Sequence, residues 1–295
     1  MTLIVGATGL VGGEICQQLA GRGTIRALVR RASNPERISH LTSIGAELAT
    51  GDLTDPSSLR AACQDVTAIV STASSTISRQ PGDSIETVDH RGQLSLIEAA
   101  EAAGVKHFVL ISFPPVDVEF PLQTAKRAVE HRLRQSRMTY TILQPTFFME
   151  VWLSPALGFD AANGRAQIYG SGHSTISWIS FRDVAALAVA ALDNPRAINQ
   201  TIKIGGPDAL SPLEVVARAS RLLGKRFDVQ HVPEDALRAQ HAAAADALQE
   251  SFAGLMLYYA SGDVIDMTDV RKMLSVQKLT SVDDYFQTAL QSAAD

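Results

Sequence analysis

The sequence predicts an α/β fold in which a doubly wound parallel β-sheet carries helices on both faces. Two patterns predict it: short, continuously apolar runs alternate with helix-like segments through the first half of the chain, and a glycine-rich turn follows the first run. Strands that are buried on both faces of a sheet are apolar at every position instead of every second one. The composition agrees, because 295 residues with 46% hydrophobic and 19% charged residues suffice for a large core.

Six strands are predicted in the first half of the chain, and each ends at a turn or at a helix cap. These strands are residues 3–5, 24–29, 46–49, 67–70, 107–111 and 139–143. Parallel neighbours need a crossover connection, which is usually a helix. The predicted helices are residues 10–20, a short segment from 35, 57–62, 84–103 and 122–135. Asn34 and Asp55 each precede a proline, which is typical of a capped helix start, and Gly104 ends the fourth helix.

The regular alternation ends near residue 150. Later strands are predicted at 167–169, 175–178 and 201–204, and later helices at 182–192, from the capping box at Ser211, and within the Ala-rich segment 234–260. We therefore predict two parts. Residues 1–150 form the sheet domain, with part of 178–205 packing back onto it, and residues 151–295 form a smaller, mostly helical lobe that binds the substrate.

Charge, hydropathy and cysteine content exclude several classes of protein. The chain has 26 Lys and Arg against 31 Asp and Glu, so it lacks the basic surface of a nucleic-acid-binding protein. No apolar run reaches the roughly 18 residues of a membrane helix, and the first residues predict a strand instead of a signal peptide. Cys16 and Cys63 form no disulfide framework, and the seven histidines form no metal-binding motif. We expect a cytoplasmic protein with no bound metal, no nucleic-acid partner and no membrane insertion.

A glycine pattern marks the connection between the first strand and the first helix. Gly6, Gly9 and Gly12 follow the strand and open the helix. A pyrophosphate that binds at the positive end of a helix must approach backbone N–H groups closely, and β-carbons at these positions would block it. The pattern therefore predicts a dinucleotide-binding site, and the alternative is a purely structural glycine turn.

The end of the second predicted strand indicates which dinucleotide binds. Sites for NAD usually place an acidic residue here to bind the ribose 2′-hydroxyl, whereas this chain has Arg30 and Arg31. A guanidinium suits the 2′-phosphate of NADPH, so we expect NADPH, with NADH as the alternative. Asp52, after the third strand, is a candidate acceptor for the adenine amino group. The structural alternatives are a solvated pair of surface arginines and an aspartate that caps a turn.

Seven segments carry a family resemblance. They are GATGLVG (6–12), VR (29–30), GDL (51–53), HFVLIS (107–112), AKRAVEHRLRQSRMTYTILQPTFFME (125–150), WISFRDVA (178–185) and IGGPDALSPLEVV (204–216). Together they resemble the NmrA-like family of atypical short-chain dehydrogenases/reductases. The resemblance implies a Rossmann-type fold with a small C-terminal α/β substrate lobe. That family includes NADPH-dependent quinone reductases, isoflavone-reductase-like enzymes, redox-sensing regulators without turnover, and photosystem assembly factors.

The resemblance also implies a set of contacts with the cofactor. In chain order these are Gly6, Thr8, Gly9, Leu10 and Val11 for the pyrophosphate, Arg30 beside Arg31 for the 2′-phosphate, Asp52 and Leu53 for the adenine, Ser71, Thr72, Ala73 and Ser74 along the cofactor, and Pro145, Thr146 and Phe147 for the nicotinamide. All of them follow predicted strands or the glycine turn. We therefore expect the cleft at the carboxyl ends of the strands.

Lys126 and Ser112 are the catalytic candidates, because they stand where the family has its active-site lysine and serine. Leu122 stands where classical members have a proton-donating tyrosine. Without that phenol a simple ketone is a poor acceptor, whereas a quinone or enone spreads the developing charge so that a nearby cation can stabilise it. We therefore expect hydride transfer to a small conjugated carbonyl compound, with Lys126 at the nicotinamide ribose and the acceptor oxygen. The alternative is a solvated helix lysine.

Three residues are candidates for contact with the substrate: Phe148 after the sixth strand, His173 in a glycine-flanked loop, and Tyr258 in the Ala-rich segment. Each has a structural alternative, which is core packing for the two aromatic residues and a polar loop position for the histidine. The alternative function is a non-catalytic NADP(H)-binding redox sensor, or an assembly or regulatory protein. Such a protein would have a regulatory protein partner, and a homo-oligomer stays open in both cases.

Overall fold

Twelve strands form one large and two small sheets in the structure, a computed structural model that describes residues 1–77 and 79–292. In chain order they are β1 (Thr2–Val5), β2 (Ile25–Val29), β3 (Glu47–Thr50), β4 (Ala68–Ser71), β5 (His107–Ile111), β6 (Thr139–Pro145), β7 (Phe159–Asp160), β8 (Arg165–Tyr169), β9 (Ile176–Ser177), β10 (Gln200–Ile204), β11 (Ala209–Leu210) and β12 (Asp228–Val232). The large sheet is parallel throughout, in the order β10-β6-β5-β4-β1-β2-β3. The small sheets are β12-β8-β7 and β11-β9.

Twelve α-helices accompany these strands within the described ranges. They are α1 (Leu10–Leu19), α2 (Pro35–Ser43), α3 (Pro56–Ala62), α4 (Gln93–Ala103), α5 (Pro121–Arg134), α6 (Met149–Trp152), α7 (Phe181–Leu192), α8 (Pro212–Leu223), α9 (Glu234–Ala242), α10 (Ala247–Ser261), α11 (Thr268–Leu274) and α12 (Val282–Ser292). A π-helical segment, Ile85–Gly92, leads directly into α4. None of the described helices is long and apolar enough to cross a bilayer.

The sheet has the Rossmann-type topology that the sequence predicts. All six predicted strands lie in it, and each agrees with the observed strand to within two residues at either end. Strand order runs outward from β1 to β3 on one side and from β4 to β6 and then β10 on the other. The order therefore reverses between β1 and β4, and such a reversal opens a crevice at the carboxyl ends of the strands.

The apolar runs are continuous because the sheet is buried on both faces. Leu3, Ile4 and Val5 are each 1% exposed or less, yet they belong to different clusters. Ile4 packs with residues of α1 and α7, whereas Leu3 and Val5 pack on the opposite face with residues of α3, α4 and α5. Period-two geometry sends successive side chains to opposite faces, so a strand between two helical layers needs an apolar residue at every position.

The predicted helix caps are confirmed. Asn34 accepts hydrogen bonds from two backbone N–H groups in the first turn of α2, and Asp55 accepts one from Ser57. Ser211 forms a capping box with Glu214, and Gly104 adopts the left-handed conformation that ends α4.

The long helix predicted over residues 84–103 is present from Ile85 to Ala103, but its first half is a π-helix instead of an α-helix. Residues 85–92 wind as a π-helix, and Ser84 caps their start by accepting from Thr87. Gly92 lies so close to the loop after β3 that an added Cβ would come within 2.8 Å of the Leu53 Cβ atom. An apolar pattern over eight residues does not distinguish the two helical periods, and only the contacts with the rest of the molecule do.

Later parts of the chain contain elements that the sequence patterns did not reveal. β12 pairs in parallel with β8, although only Val229 and Val232 are apolar among its residues. α11 and α12 follow the Ala-rich segment, which forms the two helices α9 and α10. A half-exposed strand of five residues carries too few apolar positions for its alternation to be recognised.

Candidate functional site

The glycine turn has the geometry that a bound pyrophosphate needs. Gly6 has a φ of +87°, which favours glycine, and a Cβ on Gly12 would lie 2.2 Å from the Gly6 carbonyl oxygen. The start of α1 can therefore approach the turn only because Gly12 has no side chain. Gly9 is the N-cap residue and provides no side-chain cap, so the first N–H groups of α1 have no side-chain acceptor. A backbone cradle at a helix N-terminus is a fit for an anionic diphosphate.

The other predicted cofactor residues lie along the same edge of the sheet. The register aligns Val5 with Ser71 and Ser71 with Leu110, so the segments after β1, β4 and β5 leave the sheet at one level. Thr72 joins two of them, because its hydroxyl donates to the Val5 carbonyl oxygen at 3.2 Å. After β6, the backbone N–H of Thr146 donates to the Ile204 carbonyl oxygen at 3.0 Å. The sheet thus brings these predicted contacts together at its carboxyl edge.

At the predicted adenosine end, Arg30 already has an anionic partner. One guanidinium nitrogen lies 2.5 Å from a carboxylate oxygen of Asp83, while Arg31 is exposed. Asp52 accepts from the backbone N–H of Thr54 at 2.8 Å and from its hydroxyl at 2.7 Å, which is the turn-capping arrangement given as its alternative. Asp83 escaped sequence analysis, because it lies 53 positions from its partner in a loop without a motif.

Two polar residues of the helical segment that follows β4 hold the loop after β4 in place. Gln93 accepts from the Ser71 hydroxyl at 2.8 Å and donates to the Ala73 carbonyl oxygen at 3.1 Å. Asp89 accepts from the backbone N–H and the hydroxyl of Ser75, at 2.9 and 2.7 Å. Both helix side chains are 1% exposed or less. Their signal in the sequence is a pair of polar residues four positions apart within an otherwise apolar helix face.

Lys126 is a buried residue and not a solvated helix lysine. Its side chain is 7% exposed, and its Nζ lies 3.3 Å from Oδ1 of the fully buried Asp89. That oxygen has no hydrogen-bond partner among the described residues, so the contact with Lys126 is a charge pairing without hydrogen-bond geometry. The second carboxylate oxygen is the one that binds Ser75. Lys126 is therefore linked through one carboxylate to the loop predicted to line the cofactor.

Ser112 is paired with an arginine that the sequence analysis did not select. The Arg127 guanidinium donates to the Ser112 hydroxyl at 3.0 Å and to the Phe113 carbonyl oxygen at 2.5 Å. It also forms an ion pair with Glu130 at 3.0 Å. Burial lowers the pKa of Arg127, although the neighbouring carboxylate opposes the shift. A second cation thus lies beside the predicted catalytic serine.

The position of the missing tyrosine is filled by a buried apolar side chain. Leu122 is 4% exposed, and its backbone N–H donates to the Ser251 hydroxyl at 3.0 Å. Tyr258, which is predicted to contact the substrate, donates its hydroxyl hydrogen to Asp263, and its side chain is buried. Burial and that carboxylate raise the pKa of Tyr258 far above its ordinary value. It therefore retains its proton across the physiological range.

The remaining predicted residues are divided between the core and the surface. Phe147, predicted to contact the nicotinamide, and Tyr258 belong to a buried aromatic cluster, with ring centroids 4.6 Å apart. Core packing, given as the alternative for Tyr258, therefore describes its ring. Phe148 is half-buried and forms a bridge with Ile179. His173 is exposed in the loop between β8 and β9, and its backbone N–H donates to the Ser171 hydroxyl. Contact of these residues with a substrate stays a prediction.

The two cysteines are isolated from each other and from any cluster of metal-binding side chains in residues 1–77 and 79–292. Cys16 and Cys63 are free and buried, and burial raises the pKa of their thiols to about 12 and about 11. In the same part of the chain, no three His, Cys, Asp or Glu side chains are grouped so that they could hold a metal ion.

Comparison with known proteins gives a family match and several relatives. A model of the family described as "NmrA-like family" matches residues 1–286. NAD(P)H azoreductase of Xenophilus azovorans is 33% identical over 260 residues, which cover 87% of this chain and 85% of the relative. Photosystem II assembly factor Ycf39 of Trieres chinensis is 30% identical over 234 residues, covering 78% and 72%.

A third relative and a solved structure extend this comparison. The (4-alkanoyl-5-oxo-2,5-dihydrofuran-3-yl)methyl phosphate reductase of Streptomyces griseus subsp. griseus is 33% identical over 241 residues, covering 81% of this chain and 79% of the relative. The structure of an NADPH-dependent quinone oxidoreductase (QOR2) of Escherichia coli with NADPH has a TM-score of 0.78 at 22% identity, covering 98% of this chain and 100% of that one. At that identity the similarity concerns the fold.

Proposed function

Because the chain belongs to the NmrA-like family, we propose that it is an NAD(P)H-dependent reductase that transfers a hydride to a small conjugated carbonyl acceptor, a quinone or an enone. The observation that carries the proposal is the buried pair of Lys126 and Asp89 in a site where Leu122 replaces the proton-donating tyrosine. The site has a fixed cation and lacks a phenol at the usual position. That combination favours an acceptor whose charge is delocalised.

The chain's own residues bind and orient the cofactor. The N–H groups at the start of α1 would donate hydrogen bonds to the diphosphate, and Arg30 would contact the adenosine ribose or its 2′-phosphate. Asp89 and Gln93 fix the loop after β4, which limits the positions that the nicotinamide end can adopt. When bound, the reduced nicotinamide would supply the hydride, and the resulting oxyanion of the acceptor would take up one proton from water. Fixing two reactants in one geometry accounts for a large share of the barrier reduction.

Lys126 stabilises the oxygen of the acceptor in this scheme. Its ammonium is positioned by Asp89 and is shielded from bulk water, which strengthens its interaction with a developing oxyanion, although the Asp89 carboxylate offsets part of that attraction. A simple ketone would become a strongly basic alkoxide and would need a close acid. A quinone or enone becomes a phenolate or enolate, for which a positioned cation suffices. The arrangement therefore selects conjugated acceptors.

The relatives support this class of acceptor. The name of the Streptomyces reductase describes a 5-oxo-2,5-dihydrofuran, in which a ring double bond is conjugated with a carbonyl group. The Escherichia coli structure belongs to a quinone oxidoreductase, and the Xenophilus relative is an azoreductase. All three names describe enzymes of reduction, and two of them, the azoreductase and the quinone oxidoreductase, also name NAD(P)H or NADPH as the cofactor.

The test is oxidation of NADPH, followed by its absorbance, with a panel of quinones, enones, azo compounds and simple aldehydes. We expect turnover with conjugated acceptors, and Lys126→Met should lower kcat by about 100-fold or more in folded protein that is saturated with NADPH. Lys272→Met is the matched control, because this exposed lysine on α11 lies outside the site. If no conjugated acceptor is reduced, or if Lys126→Met keeps full activity, the proposal fails.

A second candidate function is favoured by one comparison. The similarity to a photosystem II assembly factor supports an assembly or regulatory protein. In that case we propose that the chain binds NADP(H) without turnover and passes the redox state of the cofactor to a protein partner. Such a protein would bind the oxidised and reduced cofactor with different affinities and would show no acceptor-dependent oxidation. Isothermal titration with NADPH and NADP⁺, in parallel with the acceptor panel, separates the two functions.

A further inference from the structure

Arg30 and Asp83 form an ion pair at the end of the site where the two nicotinamide cofactors differ. The guanidinium nitrogen and the carboxylate oxygen are 2.5 Å apart, and the two side chains are 26% and 6% exposed. The same carboxylate oxygen accepts a hydrogen bond from the backbone N–H of Gln80 at 2.7 Å. A backbone hydrogen bond within its own loop thus orients the Asp83 carboxylate toward Arg30.

The neighbouring cations do not replace Arg30. Arg31 is exposed, and the Arg37 guanidinium donates to the Thr8 carbonyl oxygen in the glycine turn. A 2′-phosphate carries up to two negative charges and would meet Arg30 beside a carboxylate that already neutralises it. Like charges within a few ångströms disfavour each other, and the effect is larger at a partly buried site.

We infer that Asp83 is a determinant of cofactor specificity, because its carboxylate competes with the 2′-phosphate of NADPH for Arg30. The free 2′-hydroxyl of NADH brings no charge and can donate a hydrogen bond to a carboxylate. Asp83 therefore lowers the affinity for NADPH but not the affinity for NADH. As a result, the two cofactors bind to the site with similar dissociation constants. The inference rests on the proposed binding of a nicotinamide cofactor.

A purely structural role for the ion pair makes a different prediction. If Asp83 only attached its loop to the end of β2, then its replacement would lower the affinities for NADPH and NADH by a similar factor. If Asp83 competes with the 2′-phosphate, its replacement raises the affinity for NADPH and leaves the affinity for NADH unchanged. The ratio of the two dissociation constants therefore distinguishes the roles, because a general loss of order cancels in it.

The experiment measures the Kd of NADPH and of NADH by titration for the wild type, Asp83→Asn and Asp83→Glu. Asparagine is isosteric and can still accept from Gln80, but it carries no charge. We expect Asp83→Asn to lower the Kd for NADPH by about tenfold and to leave the Kd for NADH within about twofold. Asp83→Glu keeps the charge and should retain the wild-type preference to within about threefold. Asp269→Asn is the control for net charge, because this carboxylate on α11 is 99% exposed.

The outcomes separate the inference from the function on which it rests. An Asp83→Asn protein whose ratio of dissociation constants stays at the wild-type value overturns the inference, as does an equal loss of affinity for both cofactors. If the wild type binds neither cofactor, the proposed function fails and the inference fails with it. Asp83→Ala provides the same comparison if the asparagine variant does not fold, which circular dichroism would reveal.

Discussion

Asp89 uses its two carboxylate oxygens for two different parts of the molecule. Oδ1 lies 3.3 Å from the Nζ atom of Lys126, and Oδ2 accepts two hydrogen bonds from Ser75. Both charged side chains are buried, so each depends on the other to offset the cost of leaving water. A single aspartate thereby couples the position of the proposed active-site lysine to the loop after β4.

This coupling predicts a pattern of stabilities. Lys126→Met leaves the Asp89 carboxylate buried without its cation and should lower the free energy of unfolding by about 3–5 kcal/mol. The double variant with Asp89→Asn has no buried charge at this place and should recover a large part of the loss. Urea unfolding of the three proteins measures it. Equal instability of the single and double variants would show that the two side chains are not coupled.

The glycine turn predicts that Gly12→Ala lowers the free energy of unfolding, although helix propensity alone would predict an increase. Alanine normally stabilises a helix relative to glycine, but a Cβ at position 12 would lie 2.2 Å from the Gly6 carbonyl oxygen. We expect Gly12→Ala to cost about 1–3 kcal/mol and to weaken binding of NADPH. Gly23→Ala is the matched control, since a Cβ there meets nothing within 4 Å. Thermal unfolding and cofactor titration of both variants provide the comparison.

The hydrogen bonds of Gln93 with the loop after β4 predict that its replacement makes this loop more mobile. Gln93→Met removes the acceptor of the buried Ser71 hydroxyl and the donor to the Ala73 carbonyl oxygen. An unsatisfied buried polar group costs about 1–3 kcal/mol, so we expect a loss of that size. Hydrogen exchange should accelerate at the backbone amides of residues 72–75 while that of β10 is unchanged. Uniform acceleration across both segments would indicate general destabilisation instead.

Burial of His107 predicts a dependence of stability on pH. Desolvation lowers the pKa of His107 below its ordinary 6.5 in the folded protein, and Thr139 and Asp193 oppose the shift. Between the folded-state pKa and 6.5, the unfolded chain binds more protons, so stability rises with pH across that interval and is lost as the pH falls below 6.5.

Replacement of this histidine tests the effect. His107→Gln keeps a side chain that can bond with Thr139 but does not titrate, so the slope of unfolding free energy between about pH 5 and 7 should become smaller. His40→Gln removes an exposed histidine and serves as the control. Chemical unfolding at several pH values measures both slopes. A slope unchanged by His107→Gln would assign the dependence to other groups.

The sequence was sufficient for those parts of the fold that depend on local patterns. The strands of the large sheet, the caps at Asn34 and Asp55, and the glycine turn each follow from residue types at fixed spacing. The π-helical segment 85–92 did not follow, because its residue types do not distinguish a π-helix from an α-helix. Local patterns constrain a few residues, whereas close approach is decided by distant ones.

The site shows the same division. Sequence analysis selected Lys126 and Arg30 from their positions relative to strands, but it did not find their partners Asp89 and Asp83. Each partner lies more than 35 positions away in the chain, and no spacing rule connects two residues across such a distance. Partners of this kind become visible only when the strands are assembled, which is why the electrostatics of a site depend on the tertiary structure.

The place of β10 in the sheet has a consequence for anyone who shortens this protein. The edge strand of the large sheet, β10, is formed by residues 200–204, which follow β7, β8 and β9 in the chain. It pairs with β6 from Thr141 to Pro145. A fragment that stopped at residue 150 would keep the pairing of β6 with β5 but would leave unpaired the N–H and C=O groups that face β10 between Thr141 and Pro145. Such a bare strand is a template for intermolecular pairing, so the fragment would tend to self-associate into insoluble material.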